Sequence, residues 1–223
     1  MARIAPPSSG NKSTSPVSRY YTWKSNEKTF SYYDRETKQN VLVELPLKFL
    51  FLQHYHSVRG WNDASNSSIY SNEVYYIGSE DMRVSASKGG LIAEGLYKDI
   101  KPRVIASGGR YHRSIYVVLE DGSIANISVK GSVVKEWSDF YDSQKNNIEN
   151  NFVIVNDFNE AKKGSVKYAV PVFNTGDPID ADFSKMADEA AQQLSEYFQS
   201  SIKKDEEAAV EDDSFDATEL DMF

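Results

Sequence analysis

Four short stretches of this chain interleave aromatic rings with cations. Arg19-Tyr20-Tyr21-Thr22-Trp23-Lys24 is the first and Tyr32-Tyr33-Asp34-Arg35 the second. The third is His54-Tyr55-His56-Ser57-Val58-Arg59-Gly60-Trp61, and the fourth is Arg110-Tyr111-His112-Arg113, with Tyr116 close behind. Side chains of these types suit an unpaired polynucleotide. Cations track its phosphates, and flat π faces stack on its bases at about 1–3 kcal/mol each, whatever the sequence. The candidate contact set is Arg19, Tyr20, Tyr21, Trp23, Lys24, Tyr32, Tyr33, Arg35, Tyr55, Arg59, Trp61, Arg110, Tyr111 and Arg113, with Arg83 and Lys88 as further cations. Part of this set must be structural. Alternate residues of a strand point inward, so one member each of Tyr20/Tyr21, Tyr32/Tyr33 and Tyr75/Tyr76 is expected in the core.

Catalytic patterns are weak by comparison. His54 and His56 share a strand face, but no third metal ligand follows at a characteristic spacing. Ser107-Gly108-Gly109-Arg110 resembles a phosphate-gripping loop only loosely, without the Gly-Lys-Ser/Thr ending of a P-loop. There is no G-x-S-x-G, and a chain without cysteine has neither a thiol nucleophile nor a thiolate metal site. Glu80-Asp81 falls in a turn, where solvated acids are ordinary. The residues therefore point to a binding protein rather than an enzyme, with no cofactor and no metal.

The C-terminal stretch has a different character. Asp205 to Phe223, DEEAAVEDDSFDATELDMF, carries nine carboxylates and no basic residue. It is too polar and too charged to bury a core and is expected to be an extended, disordered acidic tail. Its end carries spaced apolar anchors, and Asp212, Asp213, Phe215, Asp216, Leu220, Asp221 and Phe223 are the candidate partner-binding residues.

That tail hides the charge of the body. The net charge is −8, yet residues 1–136 hold 18 Lys/Arg against 13 Asp/Glu. A basic body with an acidic appendage suits a protein that meets a polyanion and carries a mimic of it. The absence of cysteine fits a reducing compartment. No apolar run approaches the ~18 residues that a membrane helix needs. The longest, Leu45 to Leu52, is interrupted by Pro46 and Lys48. A soluble protein of the cytoplasm is the expectation.

The elements that must position these residues are mostly strands. Residues 1–18 are Ser- and Pro-rich with no acid, a disordered basic arm. Short aromatic and β-branched runs then predict strands at Tyr20–Trp23, Thr29–Tyr33, Val41–Leu45, Leu47–Tyr55, Ser71–Ile77, Met82–Ala86, Gly90–Tyr97, Tyr111–Leu119 and Ser123–Val129. Asp121-Gly122 is a strong hairpin signal between the last two. Val133, Val134, Trp137, Phe140 and Tyr141 form one apolar stripe and predict a helix over Ser132–Ser143. Strands at Asn151–Asn156 and Val166–Phe173 follow. A second helix, Ser184–Lys203, carries Met186, Ala190, Leu194, Phe198 and Ile202 at a four-residue step.

This pattern predicts a mainly β protein, an OB-fold-like elaborated β-barrel with one inserted helix, a C-terminal helix and disordered termini. An immunoglobulin-like sandwich is the competing arrangement, but it does not call for the Trp137 helix. The expected divisions are a basic arm at 1–18, a binding domain at 19–176, a helix at 177–204 and a tail at 205–223.

With that body, its basic-aromatic clusters and an acidic tail ending in Phe223, the chain resembles the replication-type single-stranded-DNA-binding proteins of bacteriophages. It is similar in design to bacterial SSB. The segments Ile69–Gly78 (IYSNEVYYIG) and Tyr111–Leu119 (YHRSIYVVL) look like strands of the phage group. The tail departs from the bacterial pattern, ending Leu-Asp-Met-Phe rather than Ile-Pro-Phe. The resemblance implies sequence-nonspecific, non-catalytic binding that protects and presents single-stranded DNA in replication, recombination and repair. It also implies replication partners such as a polymerase or helicase-primase recruited through the tail, and residence in the host cytoplasm, with homo-oligomerisation left open. Two alternatives stand beside it: an RNA-binding or strand-annealing factor, and a structural or adaptor β-protein whose aromatics are core.

Overall fold

The computed structural model describes residues 15–214, with side chains to residue 199. In chain order the strands are β1 (Val17–Lys24), β2 (Thr29–Asp34), β3 (Gln39–Leu42), β4 (Leu47–Asn62), β5 (Ser67–Ser71), β6 (Met82–Ala86), β7 (Gly90–Gly95), β8 (Gly109–Leu119), β9 (Ile124–Lys130), β10 (Asn151–Lys163) and β11 (Val166–Pro178). The helices are α1 (Tyr97–Ala106), α2 (Ser132–Gln144) and α3 (Ala181–Ser214). The protein is mainly β, as its residues predict.

Strand β4 organises the sheet. Its sequence, LKFLFLQHYHSVRGWN, is buried at most positions, as a strand covered on both faces must be. One edge of β4 pairs with β8 from Phe49 to Gly60. The other edge is divided, with β10 at Leu47–Phe49 and β5 at Arg59–Asn62. The main path runs β3-β2-β1-β9-β8-β4-β5-β6-β7, with β10 and β11 branching from β4. The β1–β9 pair is parallel and the other ladders are antiparallel, so this is an open mixed sheet. Strand β11 pairs only with β10, and side-chain bonds rather than a ladder join it to β1.

Three apolar clusters hold the fold. On one face Phe49, Phe51, Ile115, Ile127, Val153 and Phe173 pack beneath α2, whose Trp137 is fully buried. The expected inserted helix therefore stands where the sequence places it, before the last two strands. On the opposite face Leu50, Leu52, Tyr55, Tyr116 and Val118 pack against Ala187, Ala190, Ala191 and Leu194 of α3. A strict four-residue step drifts around a helix of 3.6 residues per turn. Met186 accordingly leaves this face and is 40% exposed. The third cluster lies under the β5–β7 wing, where Ile100 and Val104 of α1 meet Val58, Met82 and Val84.

Several boundaries differ from the expected ones for identifiable reasons. Helix α1 contains Pro102, which argues against a helix in sequence, but the burial of Ile100 and Val104 outweighs the lost backbone bond. Of the strand expected over 71–77 only Ser71 is in a strand, as the end of β5. The Glu80 carboxylate accepts the backbone N–H groups of Tyr75 and Tyr76 at 3.0 and 2.9 Å, and only Val74 bridges to His56. The pairing strand is β5, just upstream. Strands β10 and β11 extend well beyond their apolar cores into a ribbon turning at Gly164. Helix α3 continues past Lys203 to Ser214 through residues rich in Ala and Glu, both strong helix formers.

Candidate nucleic-acid interface

A cleft opens where β9 ends. Strand β1 follows β9 in parallel as far as Thr22 and Ser128. Trp23 and Ser25 then turn toward β11. The Trp23 indole N–H donates to the Ala169 carbonyl at 2.8 Å, and the Ser25 hydroxyl donates to the same oxygen at 3.1 Å. Ala169 N–H donates back to the Ser25 hydroxyl at 2.7 Å. The divergence leaves a cavity of about 440 Å³ lined by Trp23, Arg110, Tyr111, Val129, Lys130, Val133 and Tyr168.

Three of those residues, Trp23, Arg110 and Tyr111, are candidates drawn from distant parts of the sequence. The fold brings them together and adds Lys130 and Tyr168. The N-terminus of α2 opens on the same cleft with no side-chain cap and no acid in its first turn, so its positive end is uncompensated. A second cavity of about 390 Å³ shares Ser25, Tyr168 and Ala169 and adds Lys28, Lys162 and Lys167. Among the described residues, no carboxylate lies within ion-pair distance of Arg110, Lys130, Lys162 or Lys167. Lys28 pairs with Glu160 at 2.8 Å, which holds that carboxyl below its ordinary range, and it also lies over the Phe158 ring. The two cavities meet at Ser25, Tyr168 and Ala169 and make a trough in which Arg110, Lys130, Lys162 and Lys167 lack carboxylate partners among the described residues, while Glu160 lines it beside Lys28.

Arg110 links this trough to the β4–β5 wing. It stands directly opposite Arg59, whose other neighbour across the sheet is Tyr70, so the three share a face. Arg110 is fixed by donating to the carbonyls of Gly109 and Ile105 at 2.7 and 3.2 Å. Trp61 and Tyr70, 50% and 53% exposed, continue the aromatic surface. A cavity of about 420 Å³ lies here, lined by Tyr20, Ser57, Arg59, Tyr70 and Glu73 among others. Glu73 accepts hydroxyl bonds from Ser114 at 2.5 Å and Tyr116 at 2.6 Å, and sits 3.8 Å from the Arg59 guanidinium. Burial pushes its carboxyl up, against the pull of those three partners. Arg59 is thus charge-balanced, unlike Arg110, Lys130, Lys162 and Lys167.

Gly108 explains the Ser-Gly-Gly-Arg motif. It has φ +97°, and a Cβ there would strike the Trp61 carbonyl, while one at Gly60 would strike the Gly108 carbonyl. The glycines serve a close approach of α1–β8 to β4 rather than a phosphate.

The remaining candidates are dispersed. Tyr21 and Tyr55 are buried in the core, out of reach of any base. Tyr20 and Tyr32 are half-buried, and Arg19 is engaged with Asp121 at 3.6 Å and with the Tyr32 ring. Tyr33 and Arg35 are exposed on the β2–β3 hairpin, away from the trough, and Lys24 is exposed at the end of β1. Arg83 pairs with Glu94 at 3.9 Å, and Lys88 is exposed in the β6–β7 turn. Asp212 and Asp213 belong to the α3 backbone, while Phe215, Asp216, Leu220, Asp221 and Phe223 lie outside the described residues.

The histidine pair is used internally. Trp137 donates its indole N–H to His54 Nδ1 at 3.0 Å. Arg113, which has no acceptor, donates to His56 Nε2 at 3.2 Å, so the other nitrogen of a neutral His56 carries the proton and meets the Tyr111 hydroxyl at 2.6 Å. Burial, reinforced by Arg113, pushes His54 down to about 3 and His56 to about 4. Among the described residues no cluster of three or more metal-ligating side chains occurs, and no helix is long and apolar enough to cross a membrane.

Lys130 ends a strand otherwise apolar or small, and Lys28, Lys162, Lys167 and Tyr168 sit in hairpins read as turns and core. Only the doubled Lys162-Lys163 signalled a basic surface. No family model, curated protein or solved structure matches the chain.

Proposed function

We propose that the protein binds single-stranded DNA without catalysis, laying the strand along the trough of Trp23, Arg110, Tyr111, Lys130 and Tyr168 toward Lys28, Lys162 and Lys167. The observation that carries this reading is the convergence, at one cleft, of rings with cations that lack carboxylate partners among the described residues. A duplex offers its phosphates but hides its π faces, whereas an unpaired strand offers both. The open mixed sheet, with α2 before its last two strands, serves in this reading as an OB-like body. The acidic C-terminal segment competes with DNA for the trough and recruits replication partners such as a polymerase or helicase-primase through Phe223, as in the phage proteins the sequence resembles. The cytoplasm of the host is the corresponding setting.

A competition of labelled oligo-dT against unlabelled duplex and oligo-rU tests this directly. Oligo-dT is expected to bind far more tightly than duplex of equal length, with an affinity that falls steeply as salt rises. Equal affinity for oligo-dT and duplex overturns the reading, and a preference for oligo-rU transfers it to RNA.

A further inference from the structure

The cavity between β4 and β5 is chemically unlike the trough beside it. The trough holds rings and cations, four of them without carboxylate partners among the described residues, which accept any base. The cavity holds a paired acceptor and donor. Glu73 Oε1 and the Arg59 Nη2 stand 3.8 Å apart at its wall. The Ser57 hydroxyl is a third polar group. Ser57 is 2% exposed, lines the cavity, and its oxygen has no hydrogen-bond partner among the described residues. A buried hydroxyl left unpaired is costly, and a ligand that bonds it removes that cost. Tyr20 and Tyr70 flank the space, and Tyr70 is open to solvent.

We propose that this cavity takes one cytosine base of the bound strand. The inference rests on the single-stranded-DNA reading above. The pairing edge of cytosine presents an amine donor and then two acceptors, the ring nitrogen N3 and the oxygen O2. Glu73 Oε1 accepts from the amine, and Arg59 and Ser57 donate to N3 and O2. Oε2 of Glu73 accepts the Tyr116 hydroxyl and Oε1 the Ser114 hydroxyl, so the base amine takes the second lone pair of Oε1. Guanine asks for two adjacent acceptors and finds one. Adenine presents one donor and one acceptor and leaves Ser57 unpaired. Thymine and uracil set a carbonyl oxygen against the carboxylate and an N–H against the guanidinium. Sites built to bond a polar edge reject the analogue that reverses it much more strongly than apolar pockets reject a change of size. Arg110 shares the face of this cavity with Arg59 and also lines the trough, whose Tyr111 points to the other side of the sheet, so the two openings meet at Arg110 at the start of β8.

The test compares an oligo-dU with the same oligo carrying a single central dC, both binding the full-length chain at neutral pH. The two strands differ only at the pairing edge of one base. The dC oligo is expected to bind roughly tenfold more tightly, within the range of base-edge discrimination. Glu73→Gln is expected to collapse that ratio toward one, because the amide can turn its N–H to the uracil oxygen. Ser57→Ala is a second variant with a smaller volume change, and it lowers the ratio in the same direction. Equal affinity of the wild-type chain for the two oligos, or tighter binding of a dA or dG substitution, overturns the assignment while leaving single-strand binding intact. Failure to bind either oligo overturns the single-strand reading and this inference with it. The wild-type ratio decides even if Glu73→Gln does not fold.

Discussion

Trp23 and Ala169, 146 residues apart in sequence, are joined by an indole-to-carbonyl bond of 2.8 Å. This bond, with those of Ser25, is what joins β1 to β11 across a gap that no ladder closes. It also fixes the Trp23 ring in the wall of the trough. A side chain that both closes a sheet and faces a groove couples the groove's shape to the fold, so the aromatic wall is preorganised rather than assembled on binding.

Lys130 and Lys167 contribute through charge alone. Lys130→Ala and Lys167→Ala are each expected to weaken oligo-dT binding and to reduce the slope of log K against log salt by about 0.7. Fluorescence titrations at several salt concentrations check this. An unchanged slope in both variants would remove the trough from the DNA path.

Trp61 and Tyr168 are expected to stack. Trp61→Ala and Tyr168→Ala should each weaken oligo-dT binding by about 1–3 kcal/mol while the folded state persists. Half of the Trp61 surface is already in water. Oligo-dT should also quench tryptophan emission through Trp23 and Trp61, since Trp137 is buried where α2 packs on the sheet.

Tyr55 offers a contrasting case. Its ring is core, but its hydroxyl is buried without a partner among the described residues. Tyr55→Phe removes an unpaid desolvation and should raise stability by about 1 kcal/mol with DNA affinity unchanged. A urea titration measures it. A loss of stability would show that the hydroxyl is bonded in solution.

Acid should destabilise the protein early. Burial depresses His54 to about 3 and His56 and His112 to about 4, from an ordinary 6.5. Between those values and 6.5 the unfolded chain binds more protons than the folded one, so stability falls as pH falls through that window. Each histidine adds up to about 1.4 kcal/mol per pH unit to the slope. Urea midpoints at pH 7 and pH 5 test the sign. A flat profile, or a rise toward pH 5, would contradict the neutral rings.

The acidic segment should act on affinity and on partners separately. Deleting Asp205 to Phe223 is expected to raise oligo-dT affinity at low salt, with the difference closing as salt screens the tethered carboxylates. Removing Phe223 alone should spare DNA affinity and abolish capture of replication proteins. A deletion that changes neither would leave the segment a solubility device.

Strand content was legible because aromatic and β-branched runs alternate with turn residues, and the Trp137 helix because its stripe is unambiguous. Helix α1 was hidden by Pro102, whose local cost is overridden by contacts distant in sequence. The missing strand at 71–77 reflects a carboxylate, Glu80, that captures the N–H groups a ladder would use. Within the candidate site, clustering in sequence singled out Trp23, Arg110 and Tyr111 but could not separate them from the buried Tyr21 and Tyr55, which stand in clusters of the same kind. Inward or outward direction is set by register, and register depends on partners distant in sequence. Lys130 and Tyr168 carried no local signal, because a groove made where two strands diverge is a property of neither.

The parallel β1–β9 pair has a consequence for how the chain is made. Val17–Thr22 finds its partner only at Ile124–Ser128, more than a hundred residues later. During synthesis β1, with the β2–β3 hairpin attached, therefore emerges long before β9 exists. Contacts this distant close late and slow folding. Until the ribosome passes residue 128, one edge of an aromatic strand stands unpaired, able to join a neighbouring nascent copy. The basic, acid-free residues just ahead of it, through Arg19, give that waiting strand a like-charge repulsion between copies at the moment it is most exposed.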